Sequence, residues 1–237
     1  MNKLTTPIAD VMDLRLVRGR ATKVRVLDAS ERLFALRGYD GVSIRDIAEE
    51  ADVTLGVVGF HGGSKEELFK TVLARRVEEL SSKRLLALGA LVERTHAPTV
   101  REIVHCFVHP YVKLASTGDP QWKAYSKLIA RLVGDETWFP YVRELYDPAA
   151  IRFLDAIRAI RPKVDERNLV AAYVMMVAST VNMVAGRGRI DALARTRRRG
   201  GEVIEFCDTI VDFCAAGFDA AIGWPPPRPA RARRMPQ

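Results

Sequence analysis

Apolar residues recur at three- and four-residue intervals along most of the chain, which is the spacing of one face of an α-helix. Between residues 22 and 38 the apolar positions are Val26, Leu27, Ala29, Leu33, Phe34 and Leu36. The alternation typical of β-strands is absent from the sequence. The pattern predicts an all-α fold, with an N-terminal three-helix domain followed by a larger helical domain.

Capping residues set the expected boundaries of the first helices. The first helix is predicted to begin at Thr22 and to stop at a glycine after residue 37. Ser43 with Asp46, and Ser64 with Glu67, have the spacing of capping boxes. Each cap stabilises its helix by about 1 kcal/mol. The second helix is therefore expected from residue 44 and a longer helix from residue 65.

Two short helices are predicted between these caps, over residues 44–51 and 54–61, joined by only Asp52 and Val53. So short a connection between amphipathic helices is typical of a helix-turn-helix. In that motif the second helix enters the major groove of DNA. Further helices are expected over residues 99–115, 120–133, 139–161, 165–185 and 202–222, with Pro148 expected to break or kink the third.

Charge and composition narrow the function classes. The chain has a net charge of +8, with basic clusters near the N-terminus, at residues 195–199 and in the Pro/Arg-rich end. An anionic partner is therefore plausible. We expect a flexible basic arm over residues 1–21, a DNA-binding domain over 22–68, a helical domain over 69–222 and a disordered tail over 223–237.

Three scattered cysteines indicate reduced thiols in a cytoplasmic protein. The uncharged run over residues 169–186 approaches the length of a membrane span. It contains Ser179, Thr180 and Asn182, however, so we interpret it as a helix buried on nearly all sides, in the domain or at a subunit interface. No membrane partner is expected.

The segment TKVRVLDASERLFALRGYDGVSIRDIAEEADVTLGVVGFHGGSKEELF, residues 22–69, resembles the DNA-binding domain of the TetR/AcrR family of transcriptional regulators. The remainder resembles, in part, the fatty-acid-responsive PsrA-type branch. The resemblance implies a homodimeric, ligand-responsive repressor that binds double-stranded DNA. Its two recognition helices would lie about 34–36 Å apart on a near-palindromic operator, and a small hydrophobic effector would release it.

The resemblance also implies site residues for DNA. Thr54, Leu55 and Val57 would read bases, while Thr54, Arg45 and Lys65 would contact phosphates, with Arg25 in the basic arm. This chain departs from the family at Gly59, where an aromatic residue is usual, and at Gly62, where Phe is usual. Phe60 and His61 are candidates to replace them in part. We therefore expect a recognition helix that is mobile alone and becomes ordered on DNA. The alternative is that the protein has diverged from the family and binds DNA weakly.

Aromatic, methionine and polar side chains in the second domain are candidates for the effector site. The predicted ligand-binding residues are Phe107, Tyr111, Trp122, Tyr125, Trp138, Met175, Met176 and Asn182. Residues 165–185 and 202–222 are predicted to form an intersubunit four-helix bundle, which Met176→Asp or Phe213→Asp would damage.

Two other interpretations remain open. The first is a DNA-binding protein of the same fold without a small ligand. The second is a helical metal protein or enzyme, because His105 and His109 have metal-ligand spacing. No acidic residue stands at the adjoining position of a zinc-protease motif, and no phosphate-binding loop or nucleophile elbow is present. We therefore predict no catalytic residue, metal or cofactor.

Overall fold

The computed structural model describes residues 8–186, 188–193 and 202–223, and these contain helices and no strand, which confirms the all-α prediction. The helices are α1 (Ile8–Arg37), α2 (Ile44–Glu50), α3 (Leu55–Gly62), α4 (Lys65–Arg94), α5 (Val100–Thr117), α6 (Pro120–Leu132), α7 (Phe139–Ile160), α8 (Glu166–Ala185), α9 (Gly188–Leu193) and α10 (Cys207–Ala221). A short 3₁₀ helix, Val203–Phe206, precedes α10. The basic cluster at residues 195–199 and the tail after residue 223 lie outside the described residues.

Helices α1 to α3 and the start of α4 form the N-terminal domain around a shared apolar core. Both capping boxes are confirmed, with the Ser43 amide donating to Asp46 at 2.7 Å and the Ser64 amide donating to Glu67 at 2.8 Å. Asp52, in the turn between α2 and α3, has a φ of 51°. A positive φ favours glycine, which explains why this turn position is commonly glycine in the family that the segment resembles.

The first helix is longer than the sequence analysis predicted. It begins at Ile8, so residues 8–21 of the predicted flexible arm are helical. Thr22 is an interior residue whose hydroxyl donates to the carbonyl of Arg18 at 3.0 Å. The prediction failed because a helix continues until something stops it, and no proline lies between Ile8 and Arg37.

Three other boundaries also differ from the predictions. Helix α4 runs unbroken across the boundary expected at residue 68, so the two domains share one helix. Helix α7 continues through Pro148. The carbonyl four residues earlier belongs to Glu144 on an exposed face, where water can replace the lost hydrogen bond. The last predicted helix divides into the 3₁₀ helix and α10, and α9 was not predicted.

A buried ion cluster joins α1 to α4. Glu31 is fully buried, and its carboxylate accepts two hydrogen bonds from Arg76, both at 2.8 Å, and one from Arg75 at 2.9 Å. Gln121 of α6 donates to the same carboxylate at 3.3 Å. Burial raises the pKa of Glu31, while the charges of Arg76 and Arg75 oppose that rise. This cluster fixes the N-terminal domain against the helices that follow it.

An aromatic cluster joins the N-terminal domain to α7. Trp138, at the start of α7, packs its ring against Tyr39 at 4.8 Å and against Phe69 at 4.4 Å between centroids. Nearby, the Tyr141 hydroxyl donates to the carbonyl of Lys70 in α4 at 2.9 Å. The beginning of α7 therefore packs directly on the N-terminal domain.

Helix α8 is the described helix that is long and apolar enough to span a membrane by length and composition, and 33% of that stretch is buried. It packs against α6 and α10 within the chain. The expectation that it is buried on nearly all sides is wrong for the isolated chain, because Val170, Val174 and Met175 are exposed. Phe213 of α10 is exposed as well. The two helices thus leave an apolar surface without a partner inside the chain.

Candidate DNA-binding surface and ligand cavity

Helix α3 presents a largely uncharged surface to solvent. Leu55 and Phe60 are exposed, Phe60 by 84%, and the Phe60 ring packs edge-on against His61 at 4.9 Å. Thr54 is the N-cap residue, and its hydroxyl makes no capping hydrogen bond, so it is available to a phosphate. Val57 is half-buried. Thr54, Leu55 and Phe60 are therefore exposed on or beside α3.

The predicted basic contacts divide into two kinds. Arg25 and Arg45 are exposed to solvent. Lys65, in contrast, is half-buried, and its ammonium donates to the carbonyls of Tyr39 and Val42, both at 3.0 Å, above the Tyr39 ring. Because an ammonium has three donors, one remains for a phosphate. Lys65 therefore contributes to the N-terminal domain itself, a role that its sequence position did not indicate.

The unusual glycines of α3 have different surroundings. At Gly59 an added Cβ would meet no atom within 4 Å, so the described residues leave room for a side chain. At Gly62 an added Cβ would lie 2.7 Å from Leu68 Cδ1, so the Leu68 side chain occupies the space. Leu68 thus anchors the end of α3, where related proteins use Phe.

We predict that Gly59→Tyr strengthens binding to random-sequence duplex DNA. Removing a helix-interior glycine contributes up to about 1 kcal/mol, which is up to about fivefold in affinity, and the ring adds a contact to the backbone of DNA. Gly59→Ala is the matched control, because it supplies the helix propensity without the ring. Titrations at matched salt measure both effects. Loss of all binding with an intact circular dichroism spectrum would instead show that Gly59 is needed for close approach to DNA.

A cavity of about 210 Å³ lies between α4, α5, α6, α7 and α8 of the second domain. Three of the predicted ligand-binding residues, Phe107, Tyr111 and Tyr125, line it. The remaining lining residues were not among the predicted site: Leu80, Arg84, Ile129, Val133, Phe139, Val142, Tyr146, Asp147, Tyr173, Val174, Val177, Thr180 and Val181. Most of this lining is apolar or aromatic, as in sites for small organic ligands.

The other five predicted ligand-binding residues lie elsewhere. Trp122 packs between Tyr125 and the Arg76 guanidinium, and Trp138 packs on the N-terminal domain. Met175 and Met176 line a separate groove of about 250 Å³ between α8 and α10. Asn182 is exposed and donates to the carbonyl of Ala178 one turn earlier. These five residues have suitable chemistry for a ligand site, but packing directs them away from the cavity.

Arg84 is the charged residue that sequence reasoning missed. It is 6% exposed, its Nε donates to the carbonyl of Phe107 at 2.9 Å, and its guanidinium lies 3.6 Å from the centre of the Phe107 ring. The signal was present in the sequence. Val77, Leu80 and Leu88 of α4 are buried at helical spacing, and Arg84 falls within that apolar stripe.

The hydroxyl groups around the cavity are neutral at pH 7. Burial raises the pKa of Tyr125 and of Tyr173 to about 12, and it raises the pKa of Tyr111 and Tyr146 as well. Tyr125 and Tyr146 are hydrogen-bonded to each other. The Tyr111 hydroxyl lies beside the Ser126 hydroxyl, and the Thr180 hydroxyl lies beside the Cys214 thiol. Neither contact has the full geometry of a hydrogen bond.

The histidine pair with metal-ligand spacing does not form a metal site within the described residues. The rings of His105 and His109 stack at 4.9 Å between centroids. Within the same ranges of the chain, no group of three or more His, Cys, Asp or Glu side chains is placed to hold a metal ion. The described residues therefore give the metal-protein interpretation no geometric support.

Comparisons with known families cover both domains. Residues 26–72 match "Bacterial regulatory proteins, tetR family", and residues 105–217 match "Tetracyclin repressor-like, C-terminal domain". The chain is 29% identical over 139 residues to the uncharacterized HTH-type transcriptional regulator TtgW of Pseudomonas putida, covering 59% of this chain and 93% of that protein. It is 35% identical over 71 residues to the transcriptional repressor KstR of Rhodococcus jostii, covering 30% of this chain and 34% of that protein.

Solved structures show the same fold at low sequence identity. The regulator FadR of Bacillus subtilis, in complex with stearoyl-CoA, superposes with a TM-score of 0.59 at 14% identity, covering 82% of this chain and 98% of FadR. The ketosteroid regulator KstR2 of Mycobacterium tuberculosis superposes with a TM-score of 0.57 at 17% identity, covering 82% and 93%. These likenesses establish the arrangement of helices and leave the ligand open.

Proposed function

Because the chain belongs to the TetR family of bacterial transcriptional regulators, we propose that it is a cytoplasmic, homodimeric repressor that a small ligand releases from DNA. The observation that carries the proposal is the apolar cavity, which is lined in part by Leu80 and Arg84 of α4, the helix that begins in the N-terminal domain. A regulator without a ligand would have no reason to keep such a space unfilled, since protein interiors are close-packed. TetR-family regulators are not enzymes, so the catalytic interpretation is set aside.

The apolar surface of α8 and α10 supports the dimer. Met175 and Phe213 flank the groove between the two helices, and both are more than half exposed in the isolated chain. Contiguous exposed apolar groups mark interaction sites. A two-fold axis there would bury the same surface on both subunits. Met176 is already buried in its own subunit, so Phe213 is the better position for a test.

Adjacent residues provide a route from the cavity to the DNA-binding domain. Phe139 and Val142 line the cavity, while Trp138 packs on Tyr39 and Phe69 of the N-terminal domain. A ligand that moves the start of α7 would therefore move Trp138 against that domain. Such a change alters DNA affinity only if the ligand binds the two arrangements with different affinity.

A compound screen with two variants tests the ligand-controlled function. A ligand at a hundred times its Kd stabilises by about 2.7 kcal/mol, or about 5–10 °C for a chain of this size. We expect such a compound to release a duplex that the wild type enriches from a random-sequence pool. Val177→Trp, which fills the cavity, should lose both responses. Trp138→Leu should keep the thermal shift and lose most of the release.

The same screen distinguishes the alternative of a regulator without a ligand. In that case the wild type would still enrich a duplex, but no compound would both stabilise it and release the DNA. If Val177→Trp responded like the wild type, the ligand would bind outside the cavity. Each of these results would contradict the proposed control of DNA binding from the cavity.

A further inference from the structure

The cavity contains a buried positive charge without a counter-charge. Arg84 donates one hydrogen bond, to the Phe107 carbonyl, and its other donors find no acceptor among the described residues. In the same part of the chain no carboxylate forms an ion pair with it. Asp147 also lines the cavity, but it is exposed to solvent and unpaired with Arg84. The guanidinium remains charged at neutral pH.

The tyrosines beside Arg84 do not neutralise it. Their raised pKa values keep Tyr111, Tyr125, Tyr146 and Tyr173 protonated at pH 7. Stacking on the Phe107 ring offsets part of the cost of burial. An unpaired charge in an apolar interior remains expensive. A site that retains one is therefore incomplete until an anion enters it.

The volume of the cavity sets the size of the part of the anion that lies inside it, since the cavity opens to solvent at Phe139 and Val174. A cavity of about 150 Å³ in another protein holds benzene, and sites for drug-sized ligands measure about 300–1,000 Å³. At about 210 Å³, this cavity fits a molecule somewhat larger than one benzene ring. Its aromatic walls suit a flat apolar body, and Tyr111 and Thr180 are polar residues of the same lining.

We infer that the effector is a compact organic acid with an aromatic or similarly apolar body, whose carboxylate pairs with Arg84. Guanidinium and carboxylate form two parallel hydrogen bonds when both are desolvated. The inference rests on the proposed function and names the ligand class of its cavity. Because Arg84 lies on α4, the acid would be held by the helix that begins in the DNA-binding domain.

The test compares 3-phenylpropanoate with 3-phenylpropan-1-ol, which differ mainly in the acid group. Calorimetric titration at pH 7.5 should show the acid binding the wild type at least about tenfold more tightly. The affinity of Arg84→Met for the acid should be lower than that of the wild type by about tenfold or more, while its affinity for the alcohol should change by less than about threefold. Arg84→Lys should recover part of the acid affinity. Tyr111→Phe is the control that removes a hydroxyl and leaves the charge.

Several outcomes would overturn the inference. The first is that the wild type binds the acid and the alcohol with equal affinity. The second is that neither compound binds at millimolar concentration. The third is that hexadecanoate binds more tightly than 3-phenylpropanoate. The comparison of acid and alcohol affinity for the wild type tests the inference even if Arg84→Met fails to fold. A neutral compound that binds the cavity and releases DNA would refute the inference and leave the proposed function intact. Failure of the wild type to enrich any duplex would refute the proposed function itself.

Discussion

Phe213→Asp is expected to convert the protein from a dimer to a monomer and to lower its affinity for the enriched duplex by about a hundredfold or more. Phe213 is 69% exposed in the isolated chain, so the substitution leaves the subunit core intact. In the dimer the new carboxylate would be buried without a partner, which is strongly unfavourable. Monomers lose the gain from binding two half-sites at once, which is about 10²–10⁴-fold.

Sedimentation velocity and DNA titration at one salt concentration measure the two effects. Leu86→Asp is the matched control, since Leu86 of α4 is 73% exposed and lies away from α8 and α10. It should remain a dimer with wild-type affinity. A Phe213→Asp protein that stays dimeric would place the interface elsewhere, and a monomer with unchanged affinity would contradict paired recognition of DNA.

Glu31→Gln is expected to lower the free energy of unfolding by about 3–5 kcal/mol, because it removes the buried carboxylate that pairs with Arg76. Arg75 would keep its pair with Asp28 at 2.8 Å, but the carboxylate left for Arg76 is that of the exposed Asp119, at 3.8 Å. The carboxylate of Glu31 joins Arg75 and Arg76 on α4 to α1. The amide that replaces it keeps the shape but carries no charge. Loss of this cluster should also loosen the N-terminal domain against α6, to which Gln121 connects it.

Denaturant unfolding of Glu31→Gln and Glu50→Gln provides the comparison. Glu50 pairs with Arg32 at 2.9 Å, but both side chains are more than 40% exposed. An exposed pair contributes about 1 kcal/mol or less, so Glu50→Gln should be almost neutral. If Glu31→Gln were equally mild, Glu31 would already be protonated in the folded protein, and the cluster would not be an ion pair.

Local chemistry explains which elements the sequence predicted well. The capping boxes at Ser43 and Ser64 involve residues three apart, so their hydrogen bonds depend little on the rest of the fold. The two-residue connection at Asp52 and Val53 is local as well. The start of α1 was predicted wrongly because a threonine such as Thr22 can lie inside a helix as well as cap one. Its hydroxyl here donates a hydrogen bond to the carbonyl of Arg18. Boundaries without such chemistry depend on packing.

The residues of the ligand cavity were predicted less well than the helix caps. Trp138 and Tyr125 are both aromatic residues of the second domain, yet one packs on the DNA-binding domain and the other lines the cavity. Residue type alone does not distinguish these two positions, because the direction of each side chain depends on how the helices pack. Arg84 stands at a buried position of an otherwise apolar stripe of α4, which marks it as unusual. Arg76 stands in the same stripe and pairs with Glu31, so the sequence pattern alone does not separate a structural arginine from one in the cavity.

In the proposed complex, two copies of α3 read one duplex together. Hydroxyl-radical footprinting of the enriched duplex, combined with sedimentation equilibrium of the complex to count the chains, tests this most directly. We expect two protected segments on one face of the DNA, centred about 34–36 Å apart, and an even number of chains on each duplex. A single protected segment bound by one chain, or binding without any preferred sequence, would contradict it.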